Sequence, residues 1–243
     1  MHGPRDEIGR RSGFKIRRRK ACQFESGRGH HAPSSRGGAP PFHDRAPASM
    51  PPIPPLTKAM LLACVAVFCI NLFVPLEIWF ALWPLASGQF MPWQVVSYGF
   101  LHGDTLHLFF NMLGLWMFGS ELEQLWGQRR YGRYLLASVL AAAVAQLLIT
   151  LATGSPAPTV GASGALFGLL MAYGLLFPHR TIMPLFPPIP MKARTFVVVF
   201  GALELGLGLL GHRGIAHFAH LGGMLGGWLM IQYWRGRGPW RRR

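Results

Sequence analysis

Acidic side chains are scarce in this 243-residue chain, with 9 Asp and Glu against 24 Lys and Arg and a formal net charge of +15. Charged residues make up only 14% of it, where a soluble domain carries about 25%; this argues against an ordinary cytosolic enzyme. Cysteine is equally sparse. Cys22, Cys64 and Cys69 show no metal-site spacing, and two of them fall inside one apolar run. They read as packing residues rather than a disulfide framework. No apolar stretch follows within the first 30 residues, so a secretory signal is not expected. No period of about 20–50 residues recurs, which excludes a solenoid.

What the chain has in quantity is apolar residues, 51% of the total, too many for disorder along the whole length. A basic balance ordinarily raises nucleic acid as a partner, but the position of the charge decides against it. Eleven of the 24 cations lie in residues 1–50 and five follow Trp234. Residues 1–55 have no hydrophobic period, are rich in Arg, Gly, Pro and Ser, and read as a disordered basic arm. Met50, six residues before the first apolar run, is a candidate translation start. Residues 56–234 form the expected membrane domain, and 235–243 a basic tail. The run Arg17 to Lys20 suits anionic membrane lipid.

Six apolar segments follow the arm, at roughly 57–76, 98–118, 132–151, 162–178, 195–211 and 217–234. A membrane span needs about 20 residues. The expected fold is therefore all-α, a polytopic membrane helical bundle with six transmembrane helices. The N-terminal flank, the loops after segments 2 and 4, and the tail hold 23 cations, and the remaining loops hold only Arg213. That asymmetry places both termini in the cytoplasm. Segments 2, 4 and 6 then enter from the outside.

Those three segments open on polar residues, which are costly in a membrane. Segment 2 carries His102, His107 and Asn111, segment 4 opens at Gly161-Ala-Ser163-Gly164, and segment 6 opens at His217-Phe-Ala-His220. His107 and Asn111 are four apart and share a helix face. Singly, each has an ordinary reading: a lone serine bonds back to its own helix, a lone histidine is a satisfied interfacial residue, and glycines pack. Together, Ser163, His220, His107 and Asn111 comprise a nucleophile, a base and two hydrogen-bond donors, the set that acyl transfer needs. Gly164/Gly168, Gly222/Gly226 and Gly223/Gly227 are small-residue pairs that let helices approach. Gly223 and Gly227 share the face of His220, so segment 6 is expected to press on segment 4.

At these residues the chain resembles the rhomboid family of intramembrane serine proteases. The resemblance rests on His102-x4-His107-x3-Asn111, Gly161-Ala-Ser-Gly164 and Ala219-His220-Leu-Gly-Gly223, with Trp93-Gln94 and Gly119-Ser-Glu-Leu-Glu123 as flanks, and covers roughly residues 56–234. It implies Ser163 as nucleophile and His220 as its general base. It implies His107 and Asn111, with the Ser163 backbone N–H, as oxyanion donors, and His102 as their support. Gly161 and Gly164 frame the nucleophile, and Phe167 stands where some members carry a Tyr against the imidazole. Gln94 stands where some members have Arg.

The resemblance implies a serine endopeptidase that cuts transmembrane segments of other membrane proteins through a Ser–His dyad. Six spans in one short basic-flanked chain point to a bacterial inner membrane. The alternative is a catalytically silent rhomboid-like scaffold that binds client helices; the presence of both Ser163 and His220 disfavours it. A histidine-based transporter is a second rival, and would call for acidic relay residues. No cofactor and no metal are expected, because the histidines have no carboxylate or Cys neighbours at zinc-site spacing. No Asp or Glu is expected to orient the imidazole. Asp104 lies off the motif positions, and Glu204, the only mid-span carboxylate, receives no role. Nothing in the residues assigns an oligomeric state.

Overall fold

The computed structural model describes residues 52–185, 188–210 and 216–236. The arm up to residue 51, the candidate start at Met50 and the tail from residue 237 lie outside the described residues. Each of the six apolar segments contains a helix. In order they are α1 (Pro55–Asn71), α4 (Thr105–Gly114), α6 (Gln128–Thr153), α7 (Ser163–Leu176), α8 (Ala193–Leu209) and α9 (His217–Trp234). The single turns α2 (Glu77–Phe80) and α3 (Gln94–Ser97) lie between α1 and α4, and α5 (Ser120–Trp126) continues α4 through one wide π-helical turn at Leu115–Gly119. Two-residue strands β1 (Thr181–Ile182) and β2 (Met191–Lys192) pair antiparallel.

The boundaries of the first two segments depart from expectation, for local polar reasons. The first helix stops at Asn71, whose Oδ1 accepts the Leu76 N–H at 2.9 Å and turns the chain away from the helix axis before Glu77. The second starts at Thr105 rather than near residue 98. Asp104 is extended, and its carboxylate accepts the His107 N–H at 2.8 Å, an N-cap that satisfies one free amide of the first turn. The same helix runs on through Glu121 and Glu123, beyond the apolar segment. Glu123 is buried and accepts from the Leu56 and Thr57 N–H groups at 2.9 and 2.7 Å and from the Thr57 hydroxyl at 2.8 Å. A carboxylate at the positive end of α1 explains its burial.

α9 sits centrally, packed broadly on α6 and α7, and α8 packs on both α7 and α9. The glycines allow this. A Cβ on Gly223 would strike the Gly164 carbonyl, and one on Gly227 would strike the Tyr134 hydroxyl. The expected approach of segment 6 to segment 4 is therefore observed. The second pair, Gly222 and Gly226, faces α6 instead; a Cβ on either would lie 2.5 Å from the Cβ of Ala145 or Ala141.

Among the described residues one helix, α6, is long and apolar enough to cross a membrane, while α1 and α7 are shorter apolar helices. Outer helix faces expose Leu62, Val144, Leu148, Val198, Leu203 and Leu225, a broad apolar surface that calls for a non-aqueous contact. The long connection between α1 and α4 is organised by Gln94. Its buried amide accepts from the N–H groups of Trp83 and Met91 at 3.2 and 3.1 Å, and donates to the carbonyls of Trp79 and Gln89 at 3.3 and 3.1 Å. Leu82 in this connection forms a two-way backbone bridge with Thr159, just ahead of α7.

Candidate active site

Ser163 is the first residue of α7, and His220 is the fourth of α9. The close glycine contact between these helices brings the two starts together. His220 Nε2 lies 2.8 Å from Ser163 Oγ. Phe167, one turn after Ser163, stacks on the His220 ring with centroids 4.3 Å apart and planes 6° from parallel. The imidazole is thus held from one face by packing and from its edge by the hydroxyl. Gly164 is a packing position, where a Cβ would lie 2.6 Å from the Cβ of Ala142.

The loop entering α7 turns at Gly161, whose φ of +127° strongly favours glycine. A Cβ there would also lie 2.8 Å from His107 Cε1 and Nε2. The absence of that carbon lets the His107 ring stand against the loop, on the side of Ser163. The loop is fixed by the Gly161 N–H donating to the Tyr98 carbonyl at 2.9 Å. His102 is buried, its ring edge-on to His107 at 5.1 Å, and neither ring nitrogen has a hydrogen-bond partner. Asn111 is buried on the His107 face, but its Nδ2 donates to the His107 carbonyl at 2.9 Å, and its Oδ1 is unpartnered. Ser163, His220, Phe167, Gly161, His107 and His102 therefore lie together, whereas the Asn111 amide bonds to its own helix.

Glu204 corrects the expectation that no carboxylate stands near the imidazole. Its Oε2 hydrogen-bonds His217 Nδ1 at 2.6 Å and lies 2.9 Å from His220 Nδ1. The second approach is at ion-pair distance but out of line for a hydrogen bond, so Nδ1 of His220 has no bonded partner. The residue comes from α8, on a different helix from either histidine motif. The signal that could have found it is Gly201, Glu204 and Gly208 at helical spacing. Gly201 and Gly208 face Met224 and His217, where an added Cβ would lie 3.2 Å from each side chain.

Glu204, His217 and His220 place their ligand atoms within 4.8 Å of one another, so the expectation that the histidines lack a carboxylate companion also fails. Zinc accepts such a donor set, but its tetrahedral ligands, each at about 2.0–2.1 Å, stand about 3.3 Å apart. The 2.6 Å contact is that of a hydrogen bond.

Residues 89–237 match the Rhomboid domain, and the chain belongs to the rhomboid family, whose members are integral membrane proteins. It is 32% identical over 163 residues to Presenilin-associated rhomboid-like protein A, mitochondrial, of Danio rerio, covering 64% of this chain and 42% of that protein. It is 32% identical over 143 residues to Rhomboid protease GluP of Bacillus subtilis (strain 168), covering 59% and 26%. It is 30% identical over 186 residues to Rhomboid protease GlpG of Yersinia pestis (strain Pestoides F), covering 74% and 62%. The chain thus spans less than two thirds of the length of each of these relatives.

Proposed function

We propose that this protein is an intramembrane serine endopeptidase, with Ser163 as nucleophile and His220 as general base. The observation that carries this reading is the 2.8 Å contact between Ser163 Oγ and His220 Nε2, with the ring stacked on Phe167. Two relatives are named as rhomboid proteases, which supports the same activity. The Ser163 hydroxyl attacks a peptide carbonyl while His220 Nε2 takes its proton, and His220 later gives that proton to the leaving amine. His107, beside the Gly161 loop, and the Ser163 backbone N–H serve as oxyanion donors. Asn111 joins them by releasing one N–H toward the substrate oxygen, and His102 supports His107.

The protein crosses the membrane six times, with both termini cytoplasmic, in a bacterial inner membrane. The domain is residues 56–234, flanked by the basic arm and tail. Supporting this, Arg129, Arg130 and Arg133 open α6, and Arg180, Lys192 and Arg194 follow α7, at the end away from Ser163. The 14 residues of α7 extend about 21 Å at 1.5 Å each, short of a hydrocarbon core of about 30 Å. Ser163 therefore sits below the outer surface, and hydrolysis requires that water reach it from the outside. The substrate is a transmembrane helix of another protein, which must unwind locally to free a carbonyl.

The test is incubation of the purified protein in detergent with a reporter carrying one transmembrane helix, the product termini being read by mass spectrometry. Cleavage near the outer end of the helix is expected. Stable binding of the helix without cleavage would favour the scaffold reading.

A further inference from the structure

We propose that Glu204 is a positioning residue that sets the tautomer of His220 and balances its charge during catalysis, making the site a functional triad. The inference rests on the Ser163–His220 reading and extends it to a helix that no motif marks. A carboxylate within a span costs about 2.5–3.5 kcal/mol on the insertion scale, so Glu204, in the second half of α8 and mostly buried, needs a compensating partner. It has two, both imidazoles of α9.

The geometry dictates the proton positions. For His220 Nε2 to accept the Ser163 proton at 2.8 Å, the neutral ring must carry its own proton on Nδ1. That nitrogen lies 2.9 Å from Glu204 Oε2, off the line of a hydrogen bond. In the resting state the carboxylate is aligned on His217 instead. As the Ser163 O–H bond breaks and the Oγ–C bond forms, the carbonyl electron pair moves to oxygen and the proton moves to Nε2. The resulting imidazolium stands beside an ionised Glu204. A small rotation about the soft terminal torsion of Glu204 brings its oxygen into line with Nδ1–H. Glu204 keeps its charge throughout; no proton passes to it.

The groups facing His220 are Ser163 on α7, Glu204 on α8, His217 on α9 and His107 on α4. Of these Glu204 alone is an acid, so its removal has a signature that loss of packing does not. In Glu204→Gln, kcat should fall about 10–1,000-fold with KM little changed. The acid limb of kcat/KM should move down by about one pH unit or more, because an opposite charge favours the protonated ring by about that amount. Glu204→Asp, which keeps the charge, should restore part of the rate and leave the limb nearer the parent position. It also serves if Glu204→Gln folds poorly. His217→Ala should stay within about tenfold of the parent, since Glu204 is then free for His220. Parent-like turnover with an unmoved acid limb in Glu204→Gln would overturn the proposal, as would His217→Ala reproducing the whole loss. Ser163→Ala, assayed in parallel, separates the two readings. If it stays active the dyad itself falls, and if it is dead while Glu204→Gln is parent-like only the role of Glu204 falls.

Discussion

The two ends of α7 are finished in opposite ways. At the Leu176 end the polar groups are paired and near the surface. The Tyr173 hydroxyl donates to Glu121 at 2.9 Å, and Arg180 donates to both Tyr173 and Glu121. Those contacts, the bond to Glu121 first, push the Arg180 guanidinium above its already high range. Nearby, Trp126, Tyr134 and Trp234 pack together, with Arg130 stacked 4.1 Å over Trp234. At the Ser163 end the polar groups are buried and under-bonded. His102, Asn111, His217 and His220 carry most of the buried side-chain atoms that lack a protein partner.

Buried groups left unbonded are expensive, and fully bonded ones stiffen a fold. The contrast separates an anchoring end from a working end. One end has used its hydrogen bonds on structure. The other leaves buried polar atoms without a protein partner, and on the proposed function these face the substrate.

The contrast breaks most sharply if the working end is disarmed without loss of fold. His220→Ala should lower turnover by about 10⁴-fold or more, because an unactivated serine is a poor nucleophile, while thermal stability in detergent changes little. A cut in turnover of less than tenfold would move the base elsewhere, to His217 first. Asn111→Ala should be next, with a loss of about 100–1,000-fold in kcat and little change in KM. A loss confined to stability would show that its bond to the His107 carbonyl is its whole purpose.

The anchoring end should respond the other way. Glu123→Ala removes three hydrogen bonds from the start of α1 and should lower unfolding stability by about 2–4 kcal/mol, read from denaturation in mixed micelles. Turnover per folded molecule should hold within a few-fold. The smallest effect is expected from deleting residues 2–49, which should leave detergent cleavage roughly unchanged. A large fall in a well-folded deletion variant would mean that the arm does more than anchor.

The parts of this arrangement legible in the sequence are those encoded locally or by helical period. The apolar segments found their helices, and the glycines after His220 foretold its approach to Ser163. What escaped the sequence reading depends on where a side chain points. Asp104 and Asn71 set helix ends that hydropathy alone does not mark. Glu123 looked like a flank of the second span and is the cap of the first helix. Glu204 had no visible role because its partners lie on another helix, and only the packing of α8 on α9 joins them. Asn111 was expected to face the substrate, yet its amide reaches back to its own backbone, as short polar side chains in helices do.

The central claim is that Ser163 is a nucleophile activated by His220. The direct measurement is labelling of the purified protein with a fluorophosphonate, with the adduct located by peptide mass spectrometry alongside cleavage of the reporter helix. One adduct on Ser163 is expected, with no adduct and no cleavage in Ser163→Ala and much slower labelling in His220→Ala. Continued cleavage by a folded Ser163→Ala variant, or an adduct on a different serine with Ser163 unmodified, would contradict it.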